Sequence, residues 1–332
     1  MSKPRVFITR RILDSGLEII QESCQADIWP DELPPSHSTI LERVRGVDGL
    51  LCLLTDPIDA AVIEAAGSGL KVISSYAVGV DNIDLAAATA RKIPVGNTPG
   101  VLTDATADLA FALLLAAGRR VVEGTRLVKS GGWKTWGPGF MLGADLRGAT
   151  LGIVGFGRIG RAVARRASGF GMRILFTEPG RSDPEPGVQA ERVDFETLLH
   201  EADFISLHCP LTPETRGLIN AASLAKMKPT AVLVNTSRGP VVDQAALYDA
   251  LSKKQIFAAG LDVTVPEPLP TDSPLLTLEN CIVVPHIASA SWQTREKMSV
   301  MAAENLIAGL KGERLPNCIN PQVYQTLAKD KK

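Results

Sequence analysis

The chain has 332 residues, of which 45% are hydrophobic and 21% are charged, and its formal net charge is −1. A typical domain of roughly 150 residues predicts about two domains, and this composition excludes the disordered and fibrous classes. The near-zero net charge and the absence of a long lysine or arginine run argue against nucleic acid as a partner.

The start of the chain enters a strand-like segment directly, without the apolar stretch of a secretion signal. The longest apolar run, residues 109–117, is far shorter than the ~20 residues that span a bilayer. We therefore expect a soluble, cytoplasmic protein with no membrane partner. The cysteines form no close pairs, so we expect buried thiols rather than disulfides or a metal site. They are Cys24, Cys52, Cys209, Cys281 and Cys318.

Short apolar runs separated by helix-like stretches occupy the first third of the chain, at residues 5–9, 26–29, 49–54, 71–75 and 93–97. This alternation predicts a parallel sheet with helices on both faces. Residues 103–129 then predict one long helix, because Asp104 lies in its first turn and Gly131 and Gly132 follow its end. We expect this helix to join two domains.

A second series of apolar runs follows, at residues 150–154, 173–177, 204–208, 231–235, 258–262 and 281–284. The segments between them, such as residues 159–169 and 243–254, have helical spacing and basic residues near their ends. They predict a second doubly wound sheet. A last helix is predicted at residues 291–311, before a tail that contains proline and asparagine.

The turn after the first strand of this second series has the spacing of a dinucleotide-binding loop. Gly155, Gly157 and Gly160 form GxGxxG between an apolar strand and a helix. Such glycines permit a tight turn, the approach of backbone to the pyrophosphate and close helix packing, while the helix N-terminus attracts phosphate. Glycines also end strands for structural reasons, but this context favours a nicotinamide dinucleotide. The predicted loop contacts include Phe156, Arg158 and Ile159.

Glu178 ends the next predicted strand, 18 residues beyond Gly160, where an acid binds the ribose hydroxyls and repels a 2′-phosphate. NAD is therefore predicted, with NADP as the alternative because Arg181 and Ser182 follow and can pair with a phosphate. Asp262, at a later strand end, is a candidate acceptor for the nicotinamide amide or else a turn residue. The predicted cofactor contacts also include Pro210, Thr215 and Thr236.

Three polar residues, Arg238, Glu267 and His286, follow strand ends of the second sheet, where open parallel sheets bind ligands. An arginine holds a carboxylate in two places, a histidine gives a proton to a developing alkoxide, and a nearby acid favours the protonated imidazole. These residue types predict reduction of a small 2-keto acid. Each alone also fits a structural or surface role, and His208 at another strand end is a rival proton donor.

Several longer motifs make the sequence similar to one family, at residues 76–84, 97–108, 155–160, 235–239, 259–263, 266–268 and 285–289. With them the chain resembles the D-isomer-specific 2-hydroxyacid dehydrogenases, most closely the glyoxylate/hydroxypyruvate reductase branch. The resemblance covers nearly the whole chain. It implies that Arg238, Glu267 and His286 are the catalytic residues.

The resemblance also implies a division into domains. A flavodoxin-like substrate domain comprises residues 1–102 and 289–332, and a Rossmann cofactor domain, residues 103–288, is inserted into it. The long helix and the loop after it are expected to form a homodimer. Relatives that use NADPH carry arginine and serine or threonine where this chain has residues 178–181. Membership of the branch therefore suggests NADPH, whereas the chemistry of Glu178 predicts NAD.

The substrate pocket is implied in the same way. The backbone of Val78 and Gly79 is expected to bind the substrate carboxylate, and Ser289 to line the pocket. Trp136 matches an aromatic residue that reaches a neighbouring subunit's site. The loops around Leu54, Val78 and Trp136 set the pocket volume and so the choice among glyoxylate, hydroxypyruvate and pyruvate.

Other functions stay open within the resemblance. A phosphoglycerate dehydrogenase shares the three catalytic residues, although the chain has no room for the usual regulatory domain. A formate dehydrogenase carries glutamine in place of Glu267. Some relatives are NAD-sensing corepressors that bind partner peptides instead of turning over a metabolite.

Overall fold

The computed structural model describes residues 3–180 and 187–329. The chain divides into two compact units: unit 1 is Met1–Leu102 with Ser291–Lys332, and unit 2 is Thr103–Ala290. The second division lies after Ala290 rather than after residue 288, so Ser289 belongs to unit 2. In the described part of the chain, no helix has the length and apolar character needed to cross a membrane.

Unit 1 is built on a five-stranded parallel sheet in the order β2-β1-β3-β4-β5. This is the flavodoxin-like order, as predicted. Strands β3 and β4 are buried along their whole length, as expected for a sheet covered on both faces. The first elements are β1 (Arg5–Ile8), α1 (Asp14–Ser23), β2 (Gln25–Ile28), α2 (His37–Arg43), β3 (Gly49–Cys52), α3 (Ala60–Ala65), β4 (Val72–Ser75), α4 (Leu85–Ala90) and β5 (Val95–Gly96).

Unit 2 contains a seven-stranded parallel sheet in the order β12-β11-β10-β9-β6-β7-β8, which is the predicted Rossmann arrangement. Its helices are α5 (Thr103–Gly118), α6 (Val121–Lys129), α7 (Arg158–Gly169), α8 (Phe195–Glu201), α9 (Ala221–Leu224) and α10 (Gln244–Ser252). Its strands are β6 (Thr150–Val154), β7 (Arg173–Thr177), β8 (Glu191–Arg192), β9 (Phe204–Leu207), β10 (Val232–Asn235), β11 (Ala258–Leu261) and β12 (Cys281–Val283).

The chain then returns to unit 1 with α11 (Trp292–Leu310) and α12 (Gln322–Lys329). Helix α11 packs on α1 and on strands β3 and β4, which covers one face of the five-stranded sheet. The sequence predicted α11 within a residue or two at each end. It did not predict α12, which forms in the segment that was expected to be only a tail.

The prediction of one long helix over residues 103–129 is wrong, because α5 ends at Gly118 and α6 begins at Val121. Arg120 between them has a left-handed backbone, with φ of +54°. Gly118 lies so close to the ring of Phe204 that a Cβ atom would be 2.9 Å from it. The Gly118 carbonyl accepts the N–H of Ala144. The helix thus ends at a glycine that packs against β9 and whose carbonyl is bonded outside the helix, a terminator that the prediction of one long helix passed over.

Candidate active site

The three glycines of the loop after β6 have different surroundings. Gly155 has φ of +90°, and a Cβ there would lie 2.5 Å from the backbone nitrogen of Cys209. At Gly160 a Cβ would lie 2.2 Å from the carbonyl oxygen of Gly155, so only glycine lets α7 approach the loop this closely. At Gly157 the same test meets nothing within 4 Å. The loop is thus crowded on the protein side and open at its middle glycine, as backbone contact with a pyrophosphate requires.

The open side of the loop faces the start of α7. Gly157 is the N-cap of this helix and supplies no side-chain cap. The first N–H groups of the helix, which include those of Arg158 and Ile159, therefore have no side-chain acceptor at the cap and favour an anion. These features fit the pyrophosphate of a dinucleotide.

Glu178 directly follows β7 and is partly exposed. Its carboxylate accepts the N–H of Phe156 from the glycine loop, which places the acid beside that loop. The side chain of Phe156 is buried and stacks on Phe176, with ring centroids 4.0 Å apart. The ring of Phe156 is therefore not available to a cofactor, and its N–H and carbonyl are held by Glu178 and Arg161. The predicted phosphate ligands Arg181 and Ser182 lie outside the described residues.

The other predicted cofactor residues lie after β9 and β10. The Thr215 hydroxyl donates to the carbonyl of Pro210 (2.6 Å) and accepts the N–H of Thr212 (2.8 Å), so it stabilises the turn after β9. The Thr236 hydroxyl lies 3.3 Å from Nδ1 of His208. Both hydroxyls therefore take part in the local structure of the sheet edge.

Arg238 is carried on a loop that the preceding residues shape. The Asn235 side chain accepts the N–H (3.0 Å) and the hydroxyl (2.7 Å) of Ser237 and donates to the carbonyl of Arg238 (2.9 Å). A Cβ on Gly239 would lie 1.9 Å from the carbonyl oxygen of Thr264. The loop that carries Arg238 is therefore packed directly against the segment that leads to Glu267.

The Glu267 loop is held at two points. The Gln244 side chain, at the start of α10, donates to the carbonyl of Val265 (2.6 Å) and accepts its N–H (2.8 Å). Glu267 itself accepts the N–H of Thr264 through Oε1 (2.9 Å). Gln244 was not among the predicted site residues, whereas Asn235 lies in the motif of residues 235–239. An amide at the first position of a helix has no pattern that would have revealed this clamp.

His286 and Glu267 are hydrogen-bonded. Nδ1 of His286 lies 2.8 Å from Oε2 of Glu267, and the two side chains are 26% and 28% exposed. Burial raises the pKa of Glu267, but the hydrogen bonds from His286 and Thr264 and the charges of His286 and Arg238 outweigh it and lower the pKa below its ordinary value. Glu267 is thus an ionised acceptor, so Nδ1 carries the hydrogen and Nε2 is the nitrogen left to react.

Asp262 fixes the backbone around His286. Its carboxylate, 1% exposed as a residue, accepts the N–H of Ile287 (2.6 Å) and of Ala288 (3.0 Å). The backbone N–H of His286 donates to the Asp262 carbonyl (2.9 Å). These contacts hold His286 at a φ of +52°, a left-handed conformation that is unusual for histidine. Asp262 is a turn residue here, whether or not it also meets a cofactor.

His208 has a different environment from His286. Its Nε2 lies 2.8 Å from the Ser206 hydroxyl and its Nδ1 lies 3.3 Å from the Thr236 hydroxyl. Burial lowers the pKa of His208 to about 3, so the ring is neutral near pH 7. These surroundings favour His286 over His208 as the proton donor.

The predicted substrate residues of unit 1 follow two neighbouring strands. Leu54 lies after β3, and Val78 and Gly79 lie after β4, all of them partly exposed. Among the residues that the structure describes, none accepts a hydrogen bond from the N–H of Val78 or of Gly79. Two adjacent free N–H groups are suited to bind an anion.

Trp136 lies in the segment after α6 and is 77% exposed. A groove of about 530 Å³ is lined mostly by apolar side chains of α6 and of that segment, although not by Trp136 itself. They include Val121, Val128, Trp133, Phe140 and Met141. Ser289, also partly exposed, follows the His286 turn.

A doubly wound parallel sheet with this glycine loop, an acid after its second strand and a histidine–carboxylate pair at its carboxyl edge defines a nicotinamide-dependent dehydrogenase. The family model described as D-isomer specific 2-hydroxyacid dehydrogenase, NAD binding domain, matches residues 111–288. The chain belongs to this family. The predictions of an enzyme with a nicotinamide cofactor are thereby confirmed, as is the resemblance.

Individual relatives are similar over nearly the whole chain. The glyoxylate reductase of Korarchaeum cryptofilum is 58% identical over 325 residues, which are 97% of this chain and 98% of the relative. The human glyoxylate reductase/hydroxypyruvate reductase is 48% identical over 317 residues, 94% of this chain and 97% of the relative. A crystal structure of the NADPH-dependent glyoxylate/hydroxypyruvate reductase from Sinorhizobium meliloti, in complex with NADP and malonate, matches with a TM-score of 0.84 at 31% identity, covering 96% of this chain and 98% of that one.

Proposed function

We propose that this protein reduces glyoxylate, and also hydroxypyruvate, to the corresponding 2-hydroxy acid. The observation that carries the proposal is the hydrogen-bonded pair of His286 and Glu267 next to the Arg238 loop. The choice of substrate is supported by two relatives, a glyoxylate reductase that is 58% identical and a glyoxylate reductase/hydroxypyruvate reductase that is 48% identical.

Each catalytic residue has a separate task in this reaction. The Arg238 guanidinium binds the substrate carboxylate and polarises the keto oxygen. The reduced nicotinamide, when bound, supplies the hydride to the keto carbon. Nε2 of protonated His286 gives its proton to the keto oxygen, so the carbonyl gains one hydride and one proton. Glu267 orients the imidazole through Nδ1 and stabilises its protonated form.

The substrate is held by further residues. We assign its carboxylate to the N–H groups of Val78 and Gly79, which have no acceptor among the described residues. We also assign substrate contacts to Leu54 and Ser289, and to Trp136 of a second subunit. These assignments set the size of 2-keto acid that binds.

The preferred cofactor is NAD. Glu178 lies beside the glycine loop, where its charge accepts hydrogen bonds from ribose hydroxyls and repels a 2′-phosphate. We assign the pyrophosphate to residues 155–160, and further cofactor contacts to Pro210, Thr215, Thr236 and Asp262. The relative from Sinorhizobium meliloti holds NADP, so the preference rests on Glu178.

A cofactor experiment tests Glu178 directly. Replacement of Glu178 by alanine removes the charge, and the ratio of kcat/KM with NADPH to that with NADH should rise several-fold. Glu191, on the exposed strand β8 of the same sheet, provides a matched control when replaced by alanine. A wild-type enzyme that already prefers NADPH would contradict the assignment.

The apolar groove beside α6 binds a second copy of the chain. Val128 is 55% exposed and Trp133 57% exposed, and such a continuous apolar surface is typical of an interface. Light scattering should give twice the chain mass of 35.3 kDa. Val128→Asp should give monomers, whereas Leu33→Asp, at a 77% exposed position of unit 1, should not.

We also propose that the enzyme acts in the cytoplasm.

Turnover assays test the function itself. Initial rates with glyoxylate, hydroxypyruvate and pyruvate, each with NADH and NADPH, should show activity with the first two acids. A protein that binds NADH but reduces none of these acids would contradict the proposal and favour a dinucleotide-sensing role instead.

A further inference from the structure

Two turns of unit 1 lie at the carboxyl ends of neighbouring strands. We call residues 77–80, after β4, the cradle turn, and residues 53–56, after β3, the Leu54 turn. Each turn is held by an asparagine side chain, Asn97 for the cradle turn and Asn82 for the Leu54 turn. The two asparagines therefore control different parts of the pocket under the proposed function.

The cradle turn is fixed through its carbonyl groups. The Asn97 side-chain amide donates to the carbonyl of Val78 (2.8 Å), and the N–H of Thr98 donates to the carbonyl of Ala77 (2.9 Å). In a planar trans peptide the C=O and N–H point in opposite directions. Holding the Ala77 carbonyl therefore aims the N–H of Val78, and holding the Val78 carbonyl aims the N–H of Gly79.

Asn97 is itself held on more than one side. It is 4% exposed, its carbonyl accepts the side-chain amide of Asn305 (2.9 Å), and Asn305 in turn accepts the N–H of Asn317 (3.0 Å). Asn305 is fully buried on α11. Asn305 can take this position because residue 96 is a glycine. A Cβ on Gly96 would lie only 2.8 Å from the Cβ of Asn305. A chain of buried hydrogen bonds thus runs from α11 to the cradle turn.

The Leu54 turn has a separate support. The Asn82 side-chain amide donates to the carbonyls of Leu53 (2.9 Å) and Asp56 (2.8 Å). The carboxylate of Asp56, which is fully buried, accepts the N–H of Leu53 (2.8 Å) and pairs with Arg10. These contacts fix the backbone that presents the Leu54 side chain, but none of them involves the cradle turn.

We propose that Asn97 is a positioning residue that aims the N–H of Gly79 at the substrate carboxylate, whereas Asn82 sets the pocket size through the Leu54 turn. The proposal rests on the proposed function, because it assigns the carboxylate to the cradle turn. Every 2-keto acid carries this carboxylate, so loss of the Asn97 amide weakens the binding of every such acid by the same factor. A change in the Leu54 turn affects acids of different size unequally.

Steady-state kinetics of neutral variants test this difference. Asn97→Ala and Asn97→Ser should raise KM for glyoxylate and hydroxypyruvate by a common factor of about tenfold, with kcat nearly unchanged, because an interaction of both ground state and transition state is lost. The inhibition constant of oxalate, a carboxylate probe, should rise by the same factor. The Kd of NADH should stay within about twofold, because the dinucleotide is assigned to unit 2. Asn82→Ala should instead change the ratio of the two kcat/KM values.

Asn320→Ala separates positioning from general loss of stability. Asn320 is 2% exposed and bonds to Val95, Thr89 and Ile93, so its loss should lower the melting temperature without changing KM. Unchanged KM and oxalate inhibition in a folded Asn97 variant would overturn the proposal, as would the same KM increase in Asn320→Ala. If Asn97→Ala does not fold, Asn97→Ser provides the same comparison. Wild-type protein that reduces neither acid would refute the proposed function, whereas an active wild type with normal Asn97 variants would refute only the positioning role.

Discussion

The carboxyl edge of the seven-stranded sheet carries two histidines, His208 after β9 and His286 after β12. His208 lies among the hydroxyls of Ser206 and Thr236, and burial lowers its pKa to about 3. His286 is 26% exposed and bonds to the ionised Glu267. The same residue type at equivalent strand ends is thus kept neutral in one place and given a carboxylate partner in the other. The neighbouring side chains, rather than the position on the sheet, decide which histidine can donate a proton.

The largest expected effect comes from replacing His286 by alanine, with His208→Ala as the comparison. His286→Ala removes the proton donor and should lower kcat by about 10²–10⁴-fold. The Kd of NADH, measured by fluorescence, should stay nearly unchanged, because the dinucleotide is assigned to the glycine loop and Glu178. His208→Ala should retain most of the activity of the folded fraction. Loss of turnover in His208→Ala, with activity in His286→Ala, would reverse the comparison.

Arg238 belongs to the His286 side of the comparison, and its replacement by lysine should have the next largest effect. Lysine keeps the charge but loses the planar fork that binds a carboxylate bidentately. The loss in kcat/KM should be about 2–3 kcal/mol, the value of one charge-assisted hydrogen bond. The matched control is replacement of Arg216, which lies outside the Arg238 loop, by lysine. Normal kcat/KM in Arg238→Lys would remove Arg238 from the substrate site.

Glu267→Gln tests the electrostatic difference between the two histidines. The pKa of Glu267 is lowered, so the side chain is charged throughout the range where reduction is measured. Glutamine keeps the shape but removes the charge that stabilises the protonated imidazole. The alkaline limb of kcat/KM for reduction should therefore move to lower pH. The outcome that contradicts this coupling is an unchanged pH profile together with an unchanged rate.

The smallest expected effect is the contribution of His208 to the pH dependence of the free energy of unfolding. The folded protein keeps His208 neutral down to about pH 3, whereas the unfolded chain protonates it below its ordinary pKa of ~6.5. Between these values the unfolded state binds more protons, so the free energy of unfolding falls as pH falls, by at most about 1.4 kcal/mol per pH unit.

Urea denaturation at pH 7.5 and pH 5 measures this dependence. His208→Gln should lose less stability than wild type over the interval, while His200→Gln, at a side chain that is 55% exposed, should follow wild type. Glu267 does not disturb the measurement, because a carboxyl with a lowered pKa loses its stabilising contribution only below the unfolded value of ~4.3. Equal pH dependence in His208→Gln and wild type would show that His208 is not kept neutral by the fold.

The regular part of the fold follows from local patterns. Apolar runs bounded by turns predicted the main strands of both sheets, because buried parallel strands require apolar residues on both faces. The position of the glycine loop between β6 and α7 was predicted from its GxGxxG spacing, and the crowding at Gly155 and Gly160 accounts for two of its glycines. The break at Arg120 and the helix α12 were not predicted, because the first depends on the ring of Phe204 and the second on packing of the tail.

The sequence by itself determined the two sheets, the dinucleotide loop and the residue types of the catalytic set, since periodicity and motif spacing are local properties of the chain. Only the tertiary structure shows the partners of the two histidines, the Thr236 hydroxyl for His208 and the Glu267 carboxylate for His286, because these contacts join separate loops. The same holds for the Asn97 support of the cradle turn, where Asn305 lies 208 residues from its partner. Contacts of this kind have no period along the chain, so no local pattern encodes them.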